Sequence, residues 1–166
     1  MRGMDVERGF TASQRAGLEA RAADHDRTLA AMHDLEAALA APAPGREGPW
    51  RGAVSAALAV LDDVTAAEFE NAQSPDSLLS DVKRTQPRLR TRVRGLWTQY
   101  RHLRDAIPSL RSEIDDVDNG VADFADLRQR LAWLLTALRH QRARESDLLY
   151  EAYFDAFNAE LSDTSD

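Results

Sequence analysis

The sequence predicts an all-α fold, an antiparallel four-helix bundle with a short extra helix between its second and third helices. Three observations carry this. Apolar residues advance by three and four along long segments, clusters of β-branched residues are scarce, and glycine and proline interrupt the chain at only a few places. Amphipathic helices joined by short connections can bury their stripes only against one another. With 166 residues, 43% of them hydrophobic, the chain is long enough for one domain with a real core and too short for two. That domain is expected over residues 11–160, between a flexible N-terminus at 1–10 and a flexible C-terminus at 161–166.

The breaks set the elements. Ala41 to Pro49 reads APAPGREGP, which cannot continue a helix because proline lacks an amide donor and clashes with the preceding turn. Further breaks fall at Ser74-Pro75-Asp76, Gln86-Pro87 and Asp118-Asn119-Gly120. The long helices are therefore expected from Thr11 to Ala40, Trp50 to Asn71, Pro87 to Asp115 and Asp123 to Glu160. A short helix from Pro75 to Thr85 would take Ser74 as its cap and Pro75 as its first residue. Pro108 should kink or locally break the third long helix.

Charge and composition exclude several functions. A net charge of -7 repels a phosphate backbone or an anionic membrane on average, so neither nucleic acid nor membrane is an expected partner. Arg84, Arg88, Arg90, Arg92 and Arg94 cluster locally in a chain with one lysine, Lys83, and read as a solvated face paired with acidic neighbours. Cysteine is absent, which removes disulfides, thiol catalysis and cysteine metal sites. The N-terminus MRGMDVERGF lacks a signal-like apolar stretch, and no run reaches the roughly 20 apolar residues needed to span a bilayer. A cytoplasmic protein is the expectation. No serine nucleophile motif, glycine-rich phosphate loop or HExxH zinc motif appears, and no enzymatic activity is expected.

A turn of about 100° per residue assigns faces. The first helix would bury Leu18, Ala22, Leu29 and Met32, with His25 inside the stripe and His33 at its edge. The second would bury Trp50, Val54, Leu58 and Leu61, continued by Glu68 and Ala72. The third would bury Leu89, Leu96, Leu103 and Ile107, with Tyr100 on that face and Gln99 beside it, while His102 points elsewhere. On the fourth, Phe124, Leu127, Leu131, Leu134 and Leu138 form the stripe, and Leu149, Tyr153 and Ala156 resume it. Between them lie Arg142, Glu145 and Ser146, and His140 faces solvent. The inward polar layer is thus His25, Glu68, Gln99, Tyr100, Arg142 and Glu145. Singly, each has an ordinary reading: a hydrogen-bonded core histidine, a glutamate past the core, a local Arg142-Glu145 ion pair. Together, buried ionisable groups need partners or a metal. Tyr150, Tyr153, Phe154 and Phe157 crowd the C-terminal helix, for core packing or for an interface with a protein partner or a second copy; monomer and homodimer both remain open.

LEAALAAPAPGREGPW at 35–50, SPDSLLSDV followed by QPRLRTRVRGLW through Trp97, and LLTALRH followed by DLLYEAY at the end carry a resemblance. The chain is similar to the hemerythrin-like, or HHE cation-binding, helical bundles over about Asp24 to Tyr153. The resemblance implies inward histidines and carboxylates holding two irons that can bind dioxygen. His25 matches the first-helix histidine. On the second helix, where the family has a histidine and then a glutamate, the nearest inward positions are Glu68 and Ala72, with Gln73 where a glutamate belongs. Gln99 and Tyr100 stand where the third helix has a Glu-His pair. His140 is the nearest match on the fourth, with its spacing to Asp147 off by about one residue. The expected reading is a hemerythrin-like domain without an intact diiron site, with no cofactor, acting as a binding or structural module. Arg142 would replace the iron cations between Glu68, Glu145 and Tyr100. The alternative is a degenerate iron site on His25, Glu68 and Glu145 with an oxygen-related or sensing role.

Overall fold

Thr11 starts the first helix, α1 (Ala12–Ala40). Its hydroxyl accepts from the Gln14 amide at 3.1 Å, and the Gln14 side-chain oxygen accepts from the Thr11 amide at 2.9 Å. This reciprocal pair satisfies two amides that a helix start otherwise leaves open. The computed structural model describes residues 9–41, 45–116 and 124–165. Among these the chain is all-helical: α1 is followed by α2 (Glu47–Gln73), α3 (Leu78–Thr85), a 3-10 turn at Pro87–Leu89, α4 (Arg90–Asp115), α5 (Phe124–Ala152) and α6 (Phe154–Asp163). Residues 1–8 and the Asp118-Asn119-Gly120 break lie outside the described residues.

Several boundaries differ from the expected ones. Helix α2 begins before Trp50, with Pro49 in its first turn, where a missing amide hydrogen costs nothing. Gly45, at φ +72°, makes the turn that leads into it. The cap of α3 is Ser77, not Ser74: the Ser77 hydroxyl accepts from the Ser80 amide at 3.1 Å, while Ser74 to Ser77 closes a turn through Ser77 N–H to Ser74 O at 3.0 Å. Helix α4 runs unbroken through Pro108, which is exposed, held by Ile107 and Leu110 buried on either side of it. The final helix is divided at Tyr153. That residue leaves the helical path because its hydroxyl donates to Asp81 of α3 at 2.6 Å and its ring packs on Phe10. Phe10 is thereby buried, although the sequence assigns it to a flexible terminus, and α6 extends past residue 160 to Asp163.

Helices α1 to α5 pack together, α1 on α2, α2 on α4, α4 on α5 and α5 on α1, with α3 against α2, α4 and α5. Two apolar clusters fill the interior. The larger joins Met32, Leu35, Leu58, Leu61, Ile107 and Leu131, and includes Trp50, Leu134 and Leu138. The smaller gathers Leu78, Leu79, Val82, Leu96, Leu148 and Tyr153 around α3. Of the predicted α2 stripe, Trp50, Val54, Leu58, Leu61 and Glu68 are buried and Ala72 is half-buried; Leu89, Leu96, Tyr100, Leu103 and Ile107 are buried as well. The α1 stripe is turned: Asp24, Thr28, Ala31, Met32, Leu35 and Leu39 are buried, whereas Ala22 and Leu29 are exposed and Leu18 only half-buried. Tyr150, Phe154 and Leu161 are exposed, and Phe157 stacks on Tyr150 and meets Phe10 edge-on. Within the arginine run, Arg84 pairs with Asp81, and Arg88 and Arg92 both pair with Glu151. Among the described residues, no helix is long and apolar enough to cross a membrane.

Candidate functional site

Helices α1, α2 and α5 change from apolar to polar at the boundary between the two clusters. On α1 the inward steps from Leu35 run back through Met32 to Thr28, then Asp24 and His25. On α2 they run forward from Leu61 to Thr65 and Glu68, and on α5 from Leu138 to Gln141, Arg142 and Glu145. Steps of three and four keep these residues on one line of each helix, so the polar groups meet in one layer.

At the centre of that layer, His25 Nε2 lies 3.3 Å from Glu68 Oε1 and 4.0 Å from Glu145 Oε1. One ligand-type atom from each of these residues lies within 4.8 Å of the others. Thr28 donates a short hydrogen bond to Glu68 Oε2. Arg21 Nε donates to Glu145 Oε1 at 2.8 Å and its Nη2 to the Ser146 hydroxyl at 3.0 Å. Beside them, Asp24 accepts from Asn71 at 3.0 Å and from Arg27 at 2.6 Å. Among the described residues, His25 Nε2 has no hydrogen-bond partner.

The electrostatics follow from burial and from the guanidinium groups. Burial, with Arg21 and Arg142 adding repulsion, lowers the His25 pKa from 6.5 to about 3, so the imidazole is neutral at pH 7. Burial pushes the Glu68 carboxyl up, opposed by the Thr28 hydrogen bond and reinforced by Glu145. Burial likewise raises the Tyr100 phenol, with Glu68 and Glu145 nearby, so it stays protonated. A neutral imidazole carries a single N–H; with that proton on Nδ1, Nε2 faces the two carboxyl groups as a third acceptor.

The sequence-derived layer is met in part. His25, Glu68 and Glu145 come together, and Tyr100 is buried with its hydroxyl 3.5 Å from the Thr65 carbonyl oxygen, at the outer limit of a hydrogen bond. Gln99 does not join them. It is half-buried, and its side-chain oxygen accepts from Arg144 at the surface. Arg142 does not sit between the acids either: its Nη2 donates to the His25 carbonyl oxygen at 3.2 Å, and Nη1 is buried without a hydrogen bond among the described residues. The cause is the register of α5. Gln141 takes the inward slot three residues after Leu138 and donates to the Leu96 carbonyl oxygen at 2.9 Å, which turns Arg142 toward α1. Ser146, expected inward, is exposed, and so are His33, His102, His140, Gln73 and Asp147.

Arg21, Asp24, Thr28, Asn71 and Gln141 were not expected in the layer. Arg21 had a signal, since it stands four residues before His25 and so shares its face. Asp24 and Thr28 carry none, because Leu18, Ala22 and Leu29 point to a buried stripe on a neighbouring face of α1.

A cavity of about 410 Å³ opens beside this layer. His25, Glu68, Glu145 and Arg21 form its polar end, and Leu78 and Leu79 of α3 form part of its apolar wall. A polar end with few convergent groups and an apolar wall is the usual make-up of a small-ligand site. No family model, curated protein or solved structure matches the chain.

Proposed function

We propose that this chain is a hemerythrin-like, antiparallel four-helix domain whose diiron layer has been replaced, and that it serves as a non-enzymatic binding module through the cavity beside that layer. The observation that supports this is the donor set. His25, Glu68 and Glu145 face one another, but Glu145 is held by Arg21, and a second guanidinium, Arg142, lies against the His25 backbone. Two irons need more imidazole and carboxylate donors than these three residues supply. Tyr100 and Gln141 occupy inward positions on α4 and α5, and neither replaces a carboxylate or an imidazole. Guanidinium groups at this range also repel a dication. The residues present do not fit a diiron centre.

The non-enzymatic part rests on the groups the cavity offers. The Thr28 hydroxyl is committed to Glu68, and the imidazole faces acceptors rather than a nucleophile it could deprotonate. A cytoplasmic setting, and action as a monomer or homodimer alongside a protein partner, belong to the same proposal.

Elemental analysis of protein expressed with iron supplied, followed by ferrous reconstitution in air, tests this reading. The expected result is no stoichiometric iron and no oxo-bridged charge-transfer band; two irons per chain would end it. A second reading has its own observation, the three ligand-type atoms within 4.8 Å. It is a degenerate site for one iron ion on His25, Glu68 and Glu145, with an oxygen-related or sensing role. One bound ion per chain, lost in His25→Ala, would establish it in place of the first.

A further inference from the structure

We infer that the cavity takes a small primary amine, with its ammonium seated among His25 Nε2, Glu68 and Glu145 and its apolar body along Leu78 and Leu79. This rests on the reading of the cavity as a metal-free binding site, and it names the ligand class.

The charge of the lining points to a cation. Asp24, Glu68, Asp76 and Glu145 line the cavity with one arginine, Arg21; Arg21 pairs with Glu145 and Arg27 with Asp24, which leaves Glu68 and Asp76 without a guanidinium partner among the ion pairs of the described residues. Hydrogen-bonding capacity at its inner end points the same way. The Glu68 side chain is only 9% exposed; Thr28 satisfies its Oε2, and its Oε1 faces His25 Nε2 at 3.3 Å. Among the described residues His25 Nε2 has no hydrogen-bond partner, and in the neutral ring it can act as an acceptor. Buried acceptors without donors are costly, and a ligand that brings donors relieves that cost.

Of the common cations, an ammonium matches best. It has three N–H donors on one compact centre. The three groups lie close enough to contact one such centre together: His25 Nε2 is 3.3 Å from Glu68 Oε1 and 4.0 Å from Glu145 Oε1. A single positive charge meets half the repulsion from Arg21 and Arg142 that a divalent ion would meet. A bare ion would also leave the apolar part of the cavity unused. Along that part lie Leu78 and Leu79 of α3, facing Ala16, Gly17 and Ala20 of α1. Contact with a short hydrocarbon or aromatic group would release water from this wall.

Isothermal titration of the full, metal-free chain at pH 7.5 and low salt tests the inference, with benzylamine and n-pentylamine as probes and benzyl alcohol, 1-pentanol and benzoate as controls. At least one amine is expected to saturate a single site at least tenfold more tightly than its own alcohol and than benzoate. Glu68→Gln should weaken the amine at least tenfold while leaving any alcohol binding unchanged. Ala20→Phe, at an exposed position on the cavity lining, should abolish amine binding without changing the helical circular dichroism. Binding of alcohol or benzoate as tight as the amine would overturn the ammonium assignment and leave a binding cavity standing. Silence from both amines, or amine binding that survives Ala20→Phe, would overturn the inference. Two irons per chain in the same sample would instead remove the reading on which it rests.

Discussion

The two halves of the helical domain are built on different terms. Around Leu58, Leu61, Ile107, Leu131 and Leu134 the interior is apolar from every helix, and these side chains are fully buried. Toward α3 the same helices carry Asp24, His25, Thr28, Glu68, Gln141 and Glu145 inward, beside a cavity. The first half gains stability from each residue it buries. The second gives up close packing and desolvates charged groups, a choice that costs stability unless partners compensate. The larger apolar interior and the smaller cluster around α3 thus flank a polar layer that opens onto the cavity.

The sharpest way to break this contrast is to weaken the apolar half. Leu58→Ala should lower the unfolding free energy by about 2–5 kcal/mol, the range for a fully buried leucine that leaves a cavity. Urea denaturation measures it, and a loss below about 1 kcal/mol would mean that this half is not the anchor.

Acid is expected to act on the polar half. As pH falls below 6.5 the unfolded chain protonates its histidine, while folded His25 resists until about 3. Stability associated with the neutral imidazole is therefore complete above 6.5 and is lost as pH falls toward 3, with a slope of at most about 1.4 kcal/mol per pH unit. Glu68 works in the opposite sense. Its raised pKa makes the folded chain bind a proton before the unfolded one does, so acidification favours the fold in that carboxyl's own range. The net loss should begin just below pH 6.5 and flatten as Glu68 protonates. In His25→Gln this decline should be absent; its persistence would assign it to other groups.

Removing the penalised charge is a smaller perturbation. Glu68→Gln keeps an acceptor for Thr28 and should raise stability at pH 8 by about 1 kcal/mol, as replacement of buried charges often does. A decrease in the urea midpoint would show that the carboxylate holds the layer together. Smallest of all is the surface. Glu151→Ala breaks the exposed pairs with Arg88 and Arg92 and should leave the midpoint unchanged, because solvent already screens them.

Legibility in the sequence followed the contrast between neighbouring residues. Along α2, large apolar side chains at Trp50, Val54, Leu58 and Leu61 alternate with small or polar ones, and the buried face was unambiguous. The early part of α1 offers Ala16, Ala20, Ala22 and Ala23, whose small methyl groups barely favour one face. Its inward residues there are Asp24 and Thr28, which a hydrophobic count pushes outward. A stripe phased on Leu18 and Leu29 therefore keeps His25 and Met32 inward but misses Asp24 and Thr28. On α5 the ambiguity was one step wide: both Gln141 and Arg142 continue from Leu138, at intervals of three and four, and only packing against Leu96 chooses between them. His25, Glu68 and Glu145 were legible as inward polar positions. The three also stand together in the sequence reading as a possible one-ion site, whereas the hold of Arg21 on Glu145 was not legible, because it joins residues 124 positions apart.

Gly17 gives the cavity a dimension that none of its polar residues controls. A methyl group at that position would come within 3.2 Å of the Leu78 side chain, closer than neighbouring side chains ordinarily sit. Leu78 is buried and also lines the cavity, so the displacement would pass into the cavity wall. Selectivity for the length or girth of a guest could therefore be retuned by one carbon atom on α1, with every charged group left in place.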